Sequence, residues 1–275
     1  MITIKDASLS YKRNNLVLDK VDLEIQPGCI YGLLGKNGEG KTTLLNILSG
    51  QLFLNKGTCH VFGKDPAKRS AGLLQKLFLL PEEINMPDVT AMQYIQMYAP
   101  FYPTFSDDIL KACFESFEVD FSGRLNKMSQ GQRKKVAITL ALAAHTPLLL
   151  MDEPTNGLDI PSKDVFRKLL GSFTNEEQTV IISTHQGRDL ESLIDAVLIL
   201  NNKKIILNNR LNEIGQKLFF RLINPGEEVL YQNQTPFGLM GVGENTQGEE
   251  TSVSLELLFN ATILHPEKIK RIFNR

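Results

Sequence analysis

One short segment constrains this chain more than any other, the glycine-rich run GKNGEGKTT at residues 35–43. It fits the pattern G-x-x-x-x-G-K-[ST], in which successive backbone N–H groups form a nest for phosphate. The apolar residues 30–34 before it predict a buried strand, and residues 42–49 after it predict a helix. That helix would direct its positive dipole end at the phosphates. The unit of strand, loop and helix predicts a P-loop fold of the α/β class that binds a nucleoside triphosphate.

The side chains of this loop suggest how the triphosphate is held. Glycine lets the backbone approach the phosphates without a Cβ clash. Lys41 is expected to contact the β- and γ-phosphates, and the Thr42 hydroxyl is expected to ligate Mg²⁺. The loop residues predicted to bind the nucleotide are Gly35, Asn37, Gly38, Gly40, Lys41, Thr42 and Thr43.

A second apolar run, LLLMDE at residues 148–153, predicts a buried strand that ends in two acids. Such a strand delivers its last side chains to the ligand edge of an α/β sheet. There Asp152 would hold Mg²⁺ through water, and Glu153 would polarise the water that attacks the γ-phosphate. Because this run follows a P-loop along the chain, a catalytic interpretation is favoured over a strand that merely ends in solvated acids.

The overall composition narrows the class of protein. Of 275 residues, 42% are hydrophobic and 22% are charged, as in ordinary soluble globular domains. A net charge of −1 lacks the basic excess expected of a nucleic-acid-binding domain. No apolar run approaches the ~18 residues that a membrane span requires. Cys29, Cys59 and Cys113 are widely spaced and are expected to be core thiols in a reducing, cytoplasmic compartment.

The pattern of elements divides the chain into regions. Strands alternate with helices over most of its length, which favours a largely parallel sheet with helical cover. A helical insertion interrupts this pattern at about residues 86–126, and short strands with Gly-rich turns begin near residue 218. We predict a nucleotide-binding domain at residues 1–215, with an antiparallel β subdomain at its N-terminus, and a small accessory domain at residues 216–275.

Three further segments identify the class of P-loop protein. The run MSQGQ at residues 128–132 opens a long helix, EPTNGLD stands at residues 153–159, and Thr184-His185 follows a predicted strand. In their order and spacing, over residues 1 to about 210, these segments resemble the ATP-binding cassette (ABC) ATPases. The family's L-S-G-G-Q signature stands here as MSQGQ, which we call the signature segment. Its helix N-terminus is a second candidate anion site.

The resemblance implies roles for individual residues and two cofactors, ATP and Mg²⁺. Lys41, Glu153 and His185 would be catalytic, and the ring of Tyr11 would stack on the adenine. Further nucleotide contacts would come from Ser129, Gly131, Gln132 and Asp159. In the family two cassettes face head to tail, so that each ATP lies between the P-loop of one subunit and the signature segment of the other.

One position departs from the family pattern. A glutamine usually follows the strand that precedes the helical insertion, and here that position is Glu82. A carboxylate is a stronger Mg²⁺ ligand than an amide, but it adds negative charge near the γ-phosphate. We therefore expect Glu82 to join Thr42 and Asp152 around the metal.

Two sets of side chains outside these motifs allow more than one interpretation. The basic triplet Arg133–Lys135 is predicted to be a solvated helix face rather than a nucleic-acid patch. The insertion is rich in large apolar side chains, which would either form its own small core or line a groove for a partner helix. These are Tyr94, Met97, Tyr98, Phe101, Tyr102 and Phe105.

The resemblance also implies a class of function. The run VSLELLF at residues 253–259 resembles the helix that ends many exporter-type ATPase subunits. This implies a peripheral subunit on the inner face of the cell membrane, which powers export through ATP-driven dimerisation. Its partners would be a second copy of itself, or a related ATPase subunit, and an integral membrane permease; no nucleic acid is expected. The alternative is a soluble ABC ATPase that remodels a non-membrane protein or nucleic-acid assembly.

Overall fold

The computed structural model describes residues 1–12, 15–187 and 190–274. The strands are β1 (Ile2–Ser10), β2 (Leu16–Ile25), β3 (Ile30–Leu34), β4 (Lys56–Val61), β5 (Leu77–Leu80), β6 (Leu148–Asp152), β7 (Thr179–Thr184), β8 (Ala196–Asn201), β9 (Lys204–Arg210), β10 (Leu218–Leu222), β11 (Tyr231–Thr235) and β12 (Gly238–Glu244). The helices are α1 (Lys41–Leu48), α2 (Ala71–Leu74), α3 (Ala91–Tyr98), α4 (Asp107–Phe117), α5 (Gln130–Ala143), α6 (Ile160–Phe173), α7 (Leu211–Lys217), α8 (Leu255–Leu264) and α9 (Pro266–Phe273).

A mixed central sheet positions the functional loops. Its strand order is β5-β6-β7-β3-β8-β9, and the strands from β5 to β8 are parallel, whereas β9 runs antiparallel to β8. Every residue of β3, β6 and β7 is buried, which explains their apolar sequences. The carboxyl ends of these adjacent strands meet at one edge and carry the P-loop, the two acids and His185. The predicted α/β class is confirmed.

A separate antiparallel sheet, of order β2-β1-β4, lies at the N-terminus. Its alternating residues, such as Ile2, Ile4 and Leu23, are buried against the inner side of α1. The P-loop helix is therefore packed between two sheets. Cys29 and Cys59 lie in this core. Cys113 lies in a second hydrophobic cluster, which includes residues of the helical insertion, and all three are free, buried thiols. Burial raises the pKa of Cys59 and of Cys113 to about 12.

The helical insertion contains α3 and α4, each with a capped N-terminus. Thr90 and Gln93 form a capping box at α3, and Ser106 caps α4. Tyr94 is buried in the core, and Tyr102 and Phe105 pack against it while partly exposed. Met97, Tyr98 and Phe101 are exposed, so the two interpretations of these apolar residues each hold for part of the set.

The chain after α7 folds as a three-stranded antiparallel sheet, β10-β12-β11, with α8 and α9. The predicted boundary at residue 215 falls within α7, and the division into two domains stays a prediction. The buried face of α8, which includes Leu255 and Leu258, belongs to the same hydrophobic cluster as the central sheet. Within the described ranges, no helix has the length and apolar character needed to span a bilayer.

Candidate nucleotide-binding site

A cleft of about 460 Å³ opens at the carboxyl edge of the central sheet, where β3, β6 and β7 end. It brings together side chains that are far apart in the sequence. The predicted site residues that line it are Tyr11, Asn37, Gly38, Gly40, Lys41, Thr42, Thr43, Glu82, Asp152, Glu153 and His185. Gly35 instead lines a neighbouring cavity of about 590 Å³, which shares Asn37 and His185 with the cleft.

The path of the P-loop backbone requires glycine at two positions. Gly40 has a φ of 110°, and a Cβ there would lie 3.1 Å from Val17 Cγ1. A Cβ on Gly35 would lie 2.8 Å from the carbonyl oxygen of Leu200. Helix α1 then begins at Lys41, and no side chain in the described structure caps its first turn. Its free N–H groups point into the cleft end of the loop, which suits a phosphate.

The ammonium group of Lys41 is buried inside the loop. Only 6% of the residue is exposed, and Nζ donates a 2.8 Å hydrogen bond to the carbonyl oxygen of Gly35. Nζ also lies 3.5 Å from Glu153 Oε1. A buried cation requires such compensation. The geometry places one positive charge between the loop and Glu153, where phosphate oxygens would meet it.

Asp152 and Thr42 form the second part of the cleft. Thr42 Oγ1 donates a 2.6 Å hydrogen bond to Asp152 Oδ2, and Ser183 Oγ donates to Asp152 Oδ1. The Ser183 contact follows from the pairing of Asp152 with Ser183 between β6 and β7. Adjacent hydroxyl and carboxylate oxygens are a donor set that suits Mg²⁺, which usually completes its shell with water and phosphate.

Glu153 has the most unusual environment in the cleft. Its φ of 44° is rare for a residue other than glycine, and a conformation of this kind costs about 1–3 kcal/mol. Its N–H donates to Ser183 Oγ at 3.1 Å, and Oε1 accepts a hydrogen bond from His185 Nδ1 at 3.0 Å. Oε2 is buried and has no hydrogen-bond partner among the described residues. A buried carboxylate oxygen with nothing to accept marks a place for a polar ligand.

Tyr11 stands at the mouth of the cleft. Its hydroxyl lies 2.9 Å from Thr43 Oγ1, and about half of the side chain is exposed. This contact anchors the end of the side chain to α1 and leaves the ring available at the opening.

Glu82 is held by partners on two other segments. Its Oε1 accepts a 3.0 Å hydrogen bond from Asn156 Nδ2, and its backbone oxygen accepts one of 3.0 Å from Lys134 Nζ. Within the described residues, no three His, Cys, Asp or Glu side chains converge on a space for a metal ion. The structure thus places Glu82 in the cleft without grouping it with the other carboxylates as a ready-made metal cage.

The prediction of a solvated basic face is wrong for Lys134, which is 4% exposed. Helix α5 is buried along most of its length, and Lys134 lies four and seven residues before the buried Ile138 and Ala141. That spacing puts it on the inward face. Burial lowers the pKa of Lys134, while the nearby carboxylates of Glu82, Asp152 and Glu153 act in the opposite direction.

The signature segment lies outside the set of residues that line the cleft. Ser129 Oγ accepts from the N–H of Gln132 at 3.2 Å, and Gln132 Oε1 accepts from the N–H of Ser129 at 2.9 Å. This capping box begins α5 at the surface. Gly131 lies against Gly157, since a Cβ on Gly131 would be 3.0 Å from the Gly157 carbonyl oxygen. Asp159 is exposed and caps α6, and hydrogen bonds from Ser162 lower its pKa.

Three residues were not predicted from the sequence to belong to the site. They are Ser183, which holds Asp152, and Asn156 and Lys134, which hold Glu82. Ser183 is a polar residue at the end of an apolar strand that leads to His185, and this position was a usable signal. The helical spacing of Lys134 was another.

With this geometry established, comparisons place the chain among known proteins. The model of a family described as "ABC transporter" matches residues 18–156, about half of the chain. This chain belongs to the ABC transporter family. It is 31% identical over 217 residues to the putative ABC transporter ATP-binding protein AlbC of Bacillus subtilis (strain 168), covering 74% of this chain and 90% of AlbC. It is 32% identical over 225 residues to the ABC transporter ATP-binding protein NatA of the same organism, covering 78% of this chain and 91% of NatA.

A solved structure shows the same fold. The dimeric structure of a post-hydrolysis state of the ATP-binding cassette MJ0796, bound to ADP and Pi, matches with a TM-score of 0.68 and 23% identity. The match covers 77% of this chain and 99% of that cassette. Family membership and the cleft together identify this ABC protein as an ATP-binding subunit with ATPase activity.

Proposed function

We propose that this ABC ATPase powers export through an integral membrane permease, by closing around ATP with a second copy of itself or a related ATPase subunit. The observation that carries the proposal is the division of the anion-binding elements. The P-loop cleft contains a connected network of hydrogen bonds, whereas in the signature segment the side chains of Ser129 and Gln132 are exposed and bond to each other's backbone N–H groups. Each chain thus offers one nearly complete site and one unpartnered contribution to another.

Within the cleft, ATP would replace the internal contacts of the loop. The N–H groups of the first turn of α1 would bind its phosphates, and Lys41 Nζ would exchange the Gly35 carbonyl for phosphate oxygens. Thr42 and Asp152 would hold Mg²⁺, which neutralises the charge that develops on the phosphates. Tyr11 would contact the adenine at the mouth of the cleft.

Hydrolysis would depend on Glu153 and His185. The free Oε2 of Glu153 is available to accept a proton from the attacking water. His185 holds the other oxygen of this carboxylate at 3.0 Å and so fixes its direction. Because Lys41 lies 3.5 Å from that same Oε1, the base and the phosphate-binding cation are positioned relative to each other before ATP arrives.

A second chain would supply the remaining contacts. Ser129, Gly131 and Gln132 stand at the N-terminus of the 14-residue helix α5, where backbone N–H groups and the helix dipole favour an anion. ATP held by one P-loop would be closed off by this segment of the partner. Hydrolysis would then remove the γ-phosphate that joins the two surfaces and release the dimer.

The helical insertion is the proposed permease-binding surface. Met97 and Phe101 are 53% and 64% exposed, and they lie beside the partly exposed Tyr98. Exposed apolar side chains of this size commonly anchor a partner. A cytoplasmic helix of the permease would bury them and hold the ATPase on the inner face of the membrane. The assignment to export draws on the resemblance of the α8 run to exporter-type subunits.

Substituting the proposed base tests the dimer model. Glu153→Gln keeps the volume and removes the base, so the variant should bind Mg-ATP, lose turnover and accumulate as a dimer in light scattering. Glu177→Gln makes the same chemical change at an exposed position and should behave as the wild type. If Glu153→Gln stays monomeric with ATP, alone and in the presence of the permease, the dimer model is wrong.

Detergent extraction of native membranes tests the partner. A multispan hydrophobic protein that co-purifies with this chain supports transport, whereas a soluble assembly supports the remodelling alternative. Inverted vesicles that carry the complex report the direction. With ATP outside, an ATP-dependent gain of solutes in the lumen indicates export, and a loss of solutes contradicts it.

A further inference from the structure

Among the described residues, Lys134 is the most deeply buried basic residue. It is 4% exposed, and Nζ lies 3.0 Å from the carbonyl oxygen of Glu82 and 3.5 Å from that of Pro81. Burying a lysine in this way is unfavourable unless its charge and its N–H groups are compensated. Two backbone oxygens accept the hydrogen bonds of the ammonium group. The acidic groups near it then indicate what its charge does.

Three carboxylates on other elements of the cleft act on this lysine. Those of Glu82, Asp152 and Glu153 all interact electrostatically with Lys134. Lys41 is the other buried lysine of the cleft, and its Nζ lies 3.5 Å from Glu153 Oε1. ATP brings further negative charge to this cleft. Glu82 is exposed, so water screens part of its charge, and the field of Lys134 offsets a further part.

We propose that Lys134 is a positioning residue that fixes the loop of Pro81 and Glu82 and offsets the charge that Glu82 adds beside the phosphates. The inference rests on the proposed function, because it takes the cleft as the place where ATP is hydrolysed. Lys134 acts through the backbone of Glu82 and through its field, without contacting the reacting atoms.

The loop that Lys134 fixes is connected to the base. Glu82 Oε1 accepts from Asn156 Nδ2 at 3.0 Å, and the N–H of Asn156 donates to the carbonyl oxygen of Glu153 at 3.2 Å. The start of α5, the loop after β5 and the turn after β6 therefore form one hydrogen-bonded unit. Because α5 begins at the signature segment, this unit connects that segment to Glu82.

A double-substitution cycle tests the charge relation. Lys134→Gln should lower kcat about tenfold or more, because the uncompensated acids repel the phosphates, and it should lower the Mg²⁺ concentration needed for half-maximal activity, because they attract the cation. Glu82→Gln alone removes the acid that Lys134 offsets, and it should lower kcat less than Lys134→Gln does. In the double variant Lys134→Gln/Glu82→Gln, activity and the Mg²⁺ requirement should return to within about threefold of the wild type.

Two further variants separate this role from a purely structural one. Lys135→Gln removes the neighbouring charge, whose Nζ faces the Phe117 carbonyl oxygen at 3.5 Å, and should leave turnover unchanged. Lys134→Arg keeps the charge and should retain more activity than Lys134→Gln. Thermal unfolding of each variant confirms that it folds.

The outcomes distinguish the inference from the proposed function. If Glu82→Gln fails to rescue Lys134→Gln in folded protein, the charge relation is wrong, while the ATPase assignment still stands on the activity of the wild type. If Lys134→Gln unfolds the chain, Lys134→Met replaces it, because Met fills a similar volume in a buried position without a charge. Failure of Glu82→Gln to restore activity in folded Lys134→Met overturns the proposal. Absence of ATPase activity in the wild type, alone and with the permease, overturns the proposed function instead.

Discussion

The P-loop cleft and the signature segment are both anion-binding helix N-termini, yet they differ in how they are supported. Around the P-loop, Lys41, Thr42 and Asp152 are connected by buried hydrogen bonds to β3, β6 and β7. At the signature segment, Ser129 and Gln132 are exposed, and the side chain of each accepts a hydrogen bond from the backbone N–H of the other. The first is organised within one chain, so its geometry is ready for ATP. The second has its capping contacts and lies outside the cleft lining, and in the proposed dimer the ATP would come from a second chain.

The largest effect is expected from a substitution in the P-loop cleft. Lys41→Ala removes a charge-assisted contact to phosphate, worth about 1.5–3 kcal/mol, so the affinity for ATP should fall roughly 10- to 100-fold. Calorimetry with ATP measures this loss. Lys36→Ala removes an exposed lysine five residues away and is the matched control. Equal affinities in the two variants would show that the P-loop assignment is wrong.

Substitutions in the signature segment should affect dimer formation and turnover rather than ATP binding. Ser129→Arg places a bulky cation at the start of α5, so ATP affinity of the single chain should stay near the wild type while dimer formation and turnover are lost. Ser129→Ala loses only the cap, about 1 kcal/mol of stability, and should keep part of its turnover. Weakened ATP binding in the Ser129→Arg monomer would indicate that this segment serves its own chain's site.

A mixture of the Lys41→Ala and Ser129→Arg variants tests whether the two sites are shared between chains. A dimer of one Lys41→Ala chain and one Ser129→Arg chain has one site with both parts intact, whereas each variant alone has none. The mixture should therefore recover a measurable part of the wild-type turnover when neither variant does so alone. No recovery, with mixed dimers seen in light scattering, would contradict a site shared between chains.

The same contrast explains what could be predicted from sequence. Gly40, with its φ of 110°, and Lys41, which bonds the Gly35 carbonyl oxygen six residues away, meet requirements of the loop itself, and a local requirement leaves a contiguous motif. Lys134 depends on contacts between α5 and the loop after β5, about 50 residues away in the chain, so its role leaves no contiguous pattern. The basic triplet suggested solvent because all its members are charged. Only the spacing to Ile138 and Ala141 carried the information that one of them faces inward.

The C-terminal segment gives a second example. Its apolar helix could be predicted from the sequence, but the place where that helix packs could not. Helix α8 packs beside the loop that carries His185, and the N–H of Leu255 donates to Glu191 Oε1 at 2.8 Å. Gly187 lies so close that a Cβ there would be 3.0 Å from Leu255 Cβ. Contacts between residues so far apart depend on the tertiary fold, so no periodicity in either segment predicts them.

A smaller effect is expected from disturbing this contact. Gly187→Ala should push the His185 loop away from α8 and lower kcat several-fold, with ATP affinity little changed. His185 holds the proposed base Glu153, and a base displaced by less than an ångström loses efficiency. Gly72→Ala is the control, since its Cβ would meet only Lys64 Nζ at 3.6 Å. Steady-state kinetics that show equal kcat in both variants would mean that α8 does not position His185.

The smallest effect on the isolated chain should come from the exposed side of the insertion. Phe101→Ser and Met97→Gln replace side chains that are more than half exposed, so stability should change by no more than about 0.5 kcal/mol and basal ATPase should persist. Phe114→Ser is the contrasting variant, because its ring is buried and its loss should destabilise by about 3–5 kcal/mol. The exposed substitutions should nevertheless weaken co-purification with the permease, since anchors of this kind contribute most when a partner buries them. Retention of the permease at wild-type levels in the double variant would place its docking surface elsewhere, and unfolding of that variant would show that these side chains belong to the core.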